Sequence, residues 1–261
     1  MDVAHRMNPT KIGIITFAFA FGGVLLGMWL RSALPKHHLD AESKDTVKLG
    51  IGLIATMTAL ILGLVTASAK SSFDAVDNAV NATAVQLLAL DRTLARYGPE
   101  TGEIRKELKQ ALGERIDMIW PSGSTRPLAL DPITSGMAPR VEALTDSIRL
   151  LKPHDDLQRA LQSRAADLAE GLLQARWLVV TGAEASVPTP FLVVLLFWLT
   201  VTFASFGVFA PRNGTVIVVL FVCALSIGGA LFLVLELDGP FDGLIRVSAD
   251  PLRFALTHIG R

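Results

Sequence analysis

Residues 49–69 read LGIGLIATMTALILGLVTASA, and residues 70–97 continue as KSSFDAVDNAVNATAVQLLALDRTLARY. The first run has no charge, and it matches the roughly 20 apolar residues that a helix needs to cross a bilayer. The second run is soluble in composition, yet it keeps a helical period. No Gly or Pro occurs between Leu64 and Tyr97, so nothing in that interval interrupts a helix. The two runs therefore predict one continuous helix that leaves the membrane.

The apolar residues of the second run follow the 3–4 spacing of a heptad seam, with one polar member. The seam positions are Phe73, Val76, Val80, Thr83, Leu87, Leu90 and Leu94. Traced back into the membrane, the seam meets mostly small residues, among them Thr66, Ala59 and Ala55. We therefore expect one face of the helix to be small inside the membrane and bulky beyond it.

Four apolar runs predict four membrane-spanning helices, at residues 12–30, 49–69, 191–210 and 215–235. Gly23 and Gly27 in the first run are spaced for close helix approach. Residues 71–184 have the composition of a soluble helical segment. The predicted fold class is all-α: an integral membrane protein with four transmembrane helices and a helical soluble domain inserted between spans two and three.

The predicted domain boundaries follow from these runs. We assign residues 1–70 to the first transmembrane helix pair and residues 71–184 to a cytoplasmic helical domain that continues span two. Residues 185–236 form the second transmembrane hairpin. Residues 237–261 mix apolar and charged side chains, which predicts an amphipathic segment that lies on the membrane face.

The composition excludes several functional classes. Hydrophobic residues make up 51% of the chain, which argues against a soluble single-core protein. Residues 71–184 hold 13 Lys/Arg and 16 Asp/Glu, so they offer no basic surface for nucleic acid. Cys223 is the single cysteine, which excludes a disulfide framework. Because catalytic and metal-binding motifs are missing, we expect no enzyme activity, cofactor or metal.

Two stretches resemble a known family. They are residues 188–248, PTPFLVVLLFWLTVTFASFGVFAPRNGTVIVVLFVCALSIGGALFLVLELDGPFDGLIRVS, and residues 88–100, LALDRTLARYGPE. Both are similar to the bestrophin-like family of bacterial membrane proteins. By analogy with bestrophins, the resemblance implies a homo-oligomer (a pentamer in bestrophins), a cytosolic helical domain between the second and third spans, and a pore lined by the second span.

The expected location is a bacterial inner membrane, in which the protein is multi-pass. Four spans place both termini and residues 71–184 on the same side. Seven Lys/Arg flank the spans on that side and five flank them on the other, a bias that favours a cytoplasmic soluble domain and cytoplasmic termini.

Two functional classes remain open. The first is an oligomeric ion channel, with membrane lipid and a permeant ion as partners and with span two lining the pore through Ala55, Thr56, Ala59, Gly63 and Thr66. The second is a non-conducting scaffold or sensor that binds a partner through its helical cytoplasmic domain. The spans contain no charged residue, which disfavours an ion-coupled pump.

The residues at the end of span two allow two interpretations. Phe73, Val76 and Val80 form either a hydrophobic constriction below the membrane, which gates by dewetting, or part of a packed helical core.

Lys70 closes span two, and Glu236 and Asp238 close span four. A carboxylate in the last turn of a helix opposes the helix dipole, so we expect Lys70 to form an ion pair with this acidic pair. The alternative is that all three side chains extend into the lipid headgroups.

Overall fold

The computed structural model of the chain describes residues 8–33, 41–121, 137–183, 189–211, 213–241 and 243–261. Within these ranges the secondary structure is helical, with no strand. The α-helices are α1 (Pro9–Ala33), α2 (Ala41–Tyr97), α3 (Gly102–Ile119), α4 (Met137–Arg149), α5 (Asp156–Ala183), α6 (Thr189–Phe209), α7 (Gly214–Leu237) and α8 (Asp250–His258). The predicted domain boundary at 184/185 lies outside the described residues.

Helix α2 confirms the predicted continuous helix. It contains 57 residues, which makes it about 85 Å long at the usual rise per residue. It ends at Tyr97 and is followed by Gly98, whose φ of 144° suits glycine better than any other residue. Pro99 follows and cannot continue the hydrogen-bond pattern. Thr101 donates a hydrogen bond of 2.7 Å to the Leu94 carbonyl, which satisfies one of the free carbonyls of the last turn.

Four of the helices are long and apolar enough to cross a membrane. They are α1, α2, α6 and α7, which correspond to the four predicted spans. The all-α class with four candidate membrane-spanning helices is therefore confirmed.

The chain divides into two compact units. The first unit comprises Met1–Ser71 and Ser186–Asp238, and the second comprises Ser72–Ala185 and Gly239–Arg261. Helix α2 contributes its first part to the first unit and its second part to the second.

In the first unit, α1 and α6 run parallel and touch through glycines. A methyl group built on Gly23 would lie 2.8 Å from the Thr200 carbonyl oxygen, and one on Gly27 would overlap the Ala204 carbonyl. A methyl group on Gly207 of α6 would likewise overlap the Val24 carbonyl. The close approach predicted from the Gly23–Gly27 spacing is thus present, and it is possible because glycine has no side chain.

Helix α1 packs antiparallel to α7 on another side. A methyl group on Gly228 would lie 2.9 Å from the Gly13 carbonyl oxygen. One turn farther along α1, the rings of Phe17 and Phe221 meet edge to face with centroids 5.3 Å apart. Parallel α1 and α6 with antiparallel α7 is the arrangement expected when consecutive spans cross the membrane in alternating directions.

The second unit has a hydrophobic core built by the later part of α2, by α3, α4 and α5, and by residues from the C-terminal segment. Every apolar member of the heptad seam belongs to this core or packs against it. The apolar seam of α2 therefore serves as the helix face on which the soluble helices fold.

The C-terminal segment has one face covered by its own chain. Phe241, Val247, Leu252 and Ile259 are buried in the core of the second unit. Leu244 and Phe254 of the same segment are exposed, so its expected place on the membrane face stays a prediction. Trp120 fixes it by donating a hydrogen bond of 2.9 Å to the Val247 carbonyl. Amphipathicity requires that one face be covered, and here neighbouring helices cover it.

We predict that Gly27→Ala destabilises the first unit. The added methyl group would collide with the Ala204 carbonyl, and overpacking of this kind costs about 1–3 kcal/mol. Thermal unfolding in detergent should show a lower midpoint. Gly22→Ala on the same helix is the matched control, because nothing lies within 4 Å of its added methyl group. Equal midpoints for the two variants would contradict this helix contact.

Candidate functional site

The membrane part of α2 has one face packed within the chain. Ile51, Thr58 and Ala69 are buried there, and neighbouring positions on the same face are half-buried. These residues recur every three or four positions, so they form one stripe along the helix.

The rest of the membrane surface of α2 is exposed and divides into two faces of different character. One carries small residues: Gly52, Thr56, Ala59, Gly63 and Thr66. The other carries large apolar residues: Leu49, Leu53, Met57, Leu60 and Leu64. At 100° per residue these faces are centred about a quarter of a turn apart. The single chain thus leaves two unlike surfaces of one helix uncovered.

Four of the five residues predicted from the sequence to line a pore share the small face. Thr56, Ala59, Gly63 and Thr66 are exposed, whereas Ala55 is half-buried at the edge of the packed face. A heptad seam drifts by about 20° per heptad around a straight α-helix. The seam traced back from Phe73 therefore rotates from the packed face toward the small face, and Ala55 falls between the two.

The threonines of this part of α2 donate their hydroxyl protons to their own helix. Thr56 bonds the Leu53 carbonyl at 2.8 Å, and Thr66 bonds the Leu62 carbonyl at 2.7 Å. Their oxygens keep acceptor capacity, so the small face presents weakly polar, uncharged groups.

Beyond the membrane part, burial favours a core role for the residues proposed as a constriction. Val76 and Val80 are 2% and 5% exposed within the second unit, and Phe73 packs against the same core. Side chains that are covered by their own chain do not face an aqueous pore. The packing alternative is therefore the better account of Val76 and Val80.

The residues of the predicted ion pair differ in burial. Glu236, in the last turn of α7, is 5% exposed, whereas Lys70 on α2 is exposed. A carboxylate that its own chain covers is not solvated by lipid headgroups. A buried charge is stable only where an opposite charge or hydrogen bonds replace its lost solvation. This observation weighs against headgroup solvation for Glu236. Pairing with Lys70 stays a prediction.

Sequence reasoning missed a charged group that is fully buried in the second unit. Asp91 in α2 is 0% exposed. It accepts hydrogen bonds from Arg105 Nε at 2.8 Å, from Arg105 Nη2 at 3.2 Å and from the Gly260 N–H at 3.2 Å. Two-pronged pairing of this kind is among the stronger charge-assisted interactions.

Lysine and arginine from α3 extend this cluster to the residues after α8. Lys109 donates to the Ile259 carbonyl at 3.0 Å, and Arg105 also donates to the Arg261 carbonyl at 3.3 Å. Asp91 thus joins α2, α3 and the residues after α8, which we call the Asp91 clamp. The signal in the sequence was a lone carboxylate beside the apolar seam, within the LALDRTLARYGPE stretch.

Comparison with known proteins identifies one family. A family model described as Bestrophin-like domain matches residues 18–252, a range that includes all of α2 and both stretches on which the resemblance rested. No curated protein and no solved structure matches the chain.

We predict that Val76→Ala combined with Val80→Ala destabilises the protein without opening a conduction path. Each buried truncation removes packed methyl groups, which costs about 1–3 kcal/mol. Thermal unfolding measures the loss. Val85→Ala is the matched control on the same helix, because Val85 is 67% exposed. An unchanged midpoint together with a raised ionic current would restore the constriction.

We also predict that Asp91→Ala releases the residues after α8. Removing one partner of a buried ion pair leaves the other uncompensated, at a cost of about 3 kcal/mol. Hydrogen exchange of the amides of α8 and Gly260 should become faster. Glu103→Gln is the control on α3, because its pair with Lys106 is highly exposed and such pairs contribute little. Equal exchange in the two variants would contradict the clamp.

Proposed function

The chain belongs to the bestrophin-like family, and from this premise we propose that it forms a homo-oligomeric ion channel with a pore lined by the small face of α2. The exposure of α2 carries the proposal. In its most apolar window, 11% of the residues are buried inside the chain, against 39% for α1, 33% for α6 and 17% for α7. Of these spans, α2 leaves the most surface for lipid, for other subunits or for a pore.

The two exposed faces of α2 suit two different environments. The leucine face matches lipid, because large aliphatic side chains are as apolar as acyl chains. The small face gains less from lipid contact, and small residues leave room near a symmetry axis. Copies related by a closed rotation would each bring the same face to that axis. A ring of α2 helices would then surround a narrow, uncharged, weakly polar path.

The wider arrangement belongs to the same proposal. The helical domain of residues 71–184 is inserted between spans two and three and lies in the cytoplasm with both termini, in a bacterial inner membrane. The excess of Lys/Arg on that side of the spans supports this orientation. Because the spans contain no charged residue, passive conduction fits better than ion-coupled transport.

Recording from planar bilayers with single-cysteine variants tests the pore assignment. Cys223 is the single cysteine, so Cys223→Ser gives a background without thiols. We expect a charged thiol reagent to alter the current through Gly63→Cys and Thr66→Cys. It should leave Leu60→Cys and Leu64→Cys unaffected, because these lie on the leucine face.

Two results would overturn the channel. One is the absence of current from wild-type protein under varied ions, voltage and pH, which would favour a scaffold or sensor that binds a partner through its helical domain. The other is a purely monomeric protein in native mass spectrometry, because one copy of α2 does not enclose a path.

We predict that Lys70 pairs with Glu236 or Asp238 at the end of the spans. Lys70→Glu should weaken assembly by placing like charges together, and Lys70→Glu combined with Glu236→Lys should restore it. Native mass spectrometry measures the fraction of each variant that is oligomeric. If the double variant assembles no better than Lys70→Glu alone, the residues act independently.

A further inference from the structure

The first unit contains an apolar groove at the membrane boundary where span two begins. Its volume is about 530 Å³, within the usual range of ligand pockets. Its walls include Ile51, Gly52 and Ala55 of α2, Phe206 and Phe209 of α6, and Leu220 of α7. The groove exists because Gly52 and Ala55 are small: a methyl group added to Gly52 would meet nothing within 4 Å.

The charges around the groove lie at one end. Lys48 is the charged residue of its lining, and the other lining residues are apolar. Arg31 donates a hydrogen bond to the carbonyl of Ala210, which also lines the groove. Two cations therefore lie at the end that begins span two, where lipid headgroups are found.

Asp45 offsets this positive charge only in part. Its carboxylate lies 3.1 Å from Lys48 Nζ, and the two side chains are 73% and 63% exposed. Exposed pairs of this kind are weak, and the ammonium group has three donors. Lys48 can therefore bind a second anion while it contacts Asp45.

We propose that this groove binds one anionic phospholipid, with an acyl chain between α2 and α6 and the headgroup at Lys48. The apolar walls match a hydrocarbon chain, and the cations complement a negative headgroup. The walls of the groove belong to three candidate membrane-spanning helices, so membrane lipid is available as a ligand. This proposal is independent of conduction, because a scaffold with the same spans would bind the lipid equally.

Native mass spectrometry of the purified oligomer tests the site, with phosphatidylglycerol or phosphatidylcholine added in detergent. We expect wild-type protein to retain phosphatidylglycerol in preference to phosphatidylcholine. Gly52→Leu and Ala55→Leu each narrow the groove and should lower retention. Gly229→Leu is the matched control, because Gly229 is exposed on α7 and a methyl group there meets nothing within 4 Å.

A second variant leaves the packing untouched. Lys48→Gln should lower the preference for phosphatidylglycerol about fivefold, since one cation near a membrane surface contributes roughly that factor. Lys48→Arg should keep the preference.

Three outcomes would overturn the proposal. The first is that wild-type protein retains neither lipid, and the second is equal retention by Gly52→Leu and Gly229→Leu. In the third, Gly52→Leu changes the oligomeric state and leaves lipid retention intact, which would assign the groove to a neighbouring subunit. None of these readouts depends on current, so failure of the lipid site and failure of the channel are distinguishable.

Discussion

A fully buried carboxylate organises the second unit. Asp91 lies at 0% exposure in α2, where an unpaired charge would be strongly unfavourable. The Arg105 guanidinium and the Gly260 amide supply the hydrogen bonds that it needs. These partners come from α3 and from the end of the described chain, so the requirement of one side chain brings three segments together. The apolar residues of the C-terminal segment then complete the core.

Helix α2 is packed differently in the two units to which it contributes. In the second unit its packed face is bulky and continuous with a hydrophobic core. In the first unit its packed face is less extensive, and two unlike faces stay uncovered. The proposed pore rests on the small face, and the proposed lipid site shares Gly52 with that face at the start of span two.

The glycines of the first unit show why small residues in this protein need separate interpretation. A carbonyl of a neighbouring helix occupies the space that a side chain would need at Gly23, Gly27 and Gly207. Gly52 and Gly63 have open space around the same position. The first group serves contact within the chain, whereas the second leaves surface available to lipid, to another subunit or to a pore.

The sequence alone determined the features that depend on local spacing. The lengths of the apolar runs predicted four spans, because a bilayer has a fixed thickness. The helical period and the absence of Gly and Pro between residues 64 and 97 predicted one continuous helix, because an α-helix has a fixed repeat. The Gly23–Gly27 spacing likewise predicted a close contact.

Tertiary structure alone decided which neighbours cover each face. Asp91 meets Arg105 14 residues away and Gly260 169 residues away, and such partners leave no periodic mark on the sequence. It also decided that Val76, Val80 and one face of the C-terminal segment are core, because an amphipathic pattern shows that a face must be covered and leaves open what covers it.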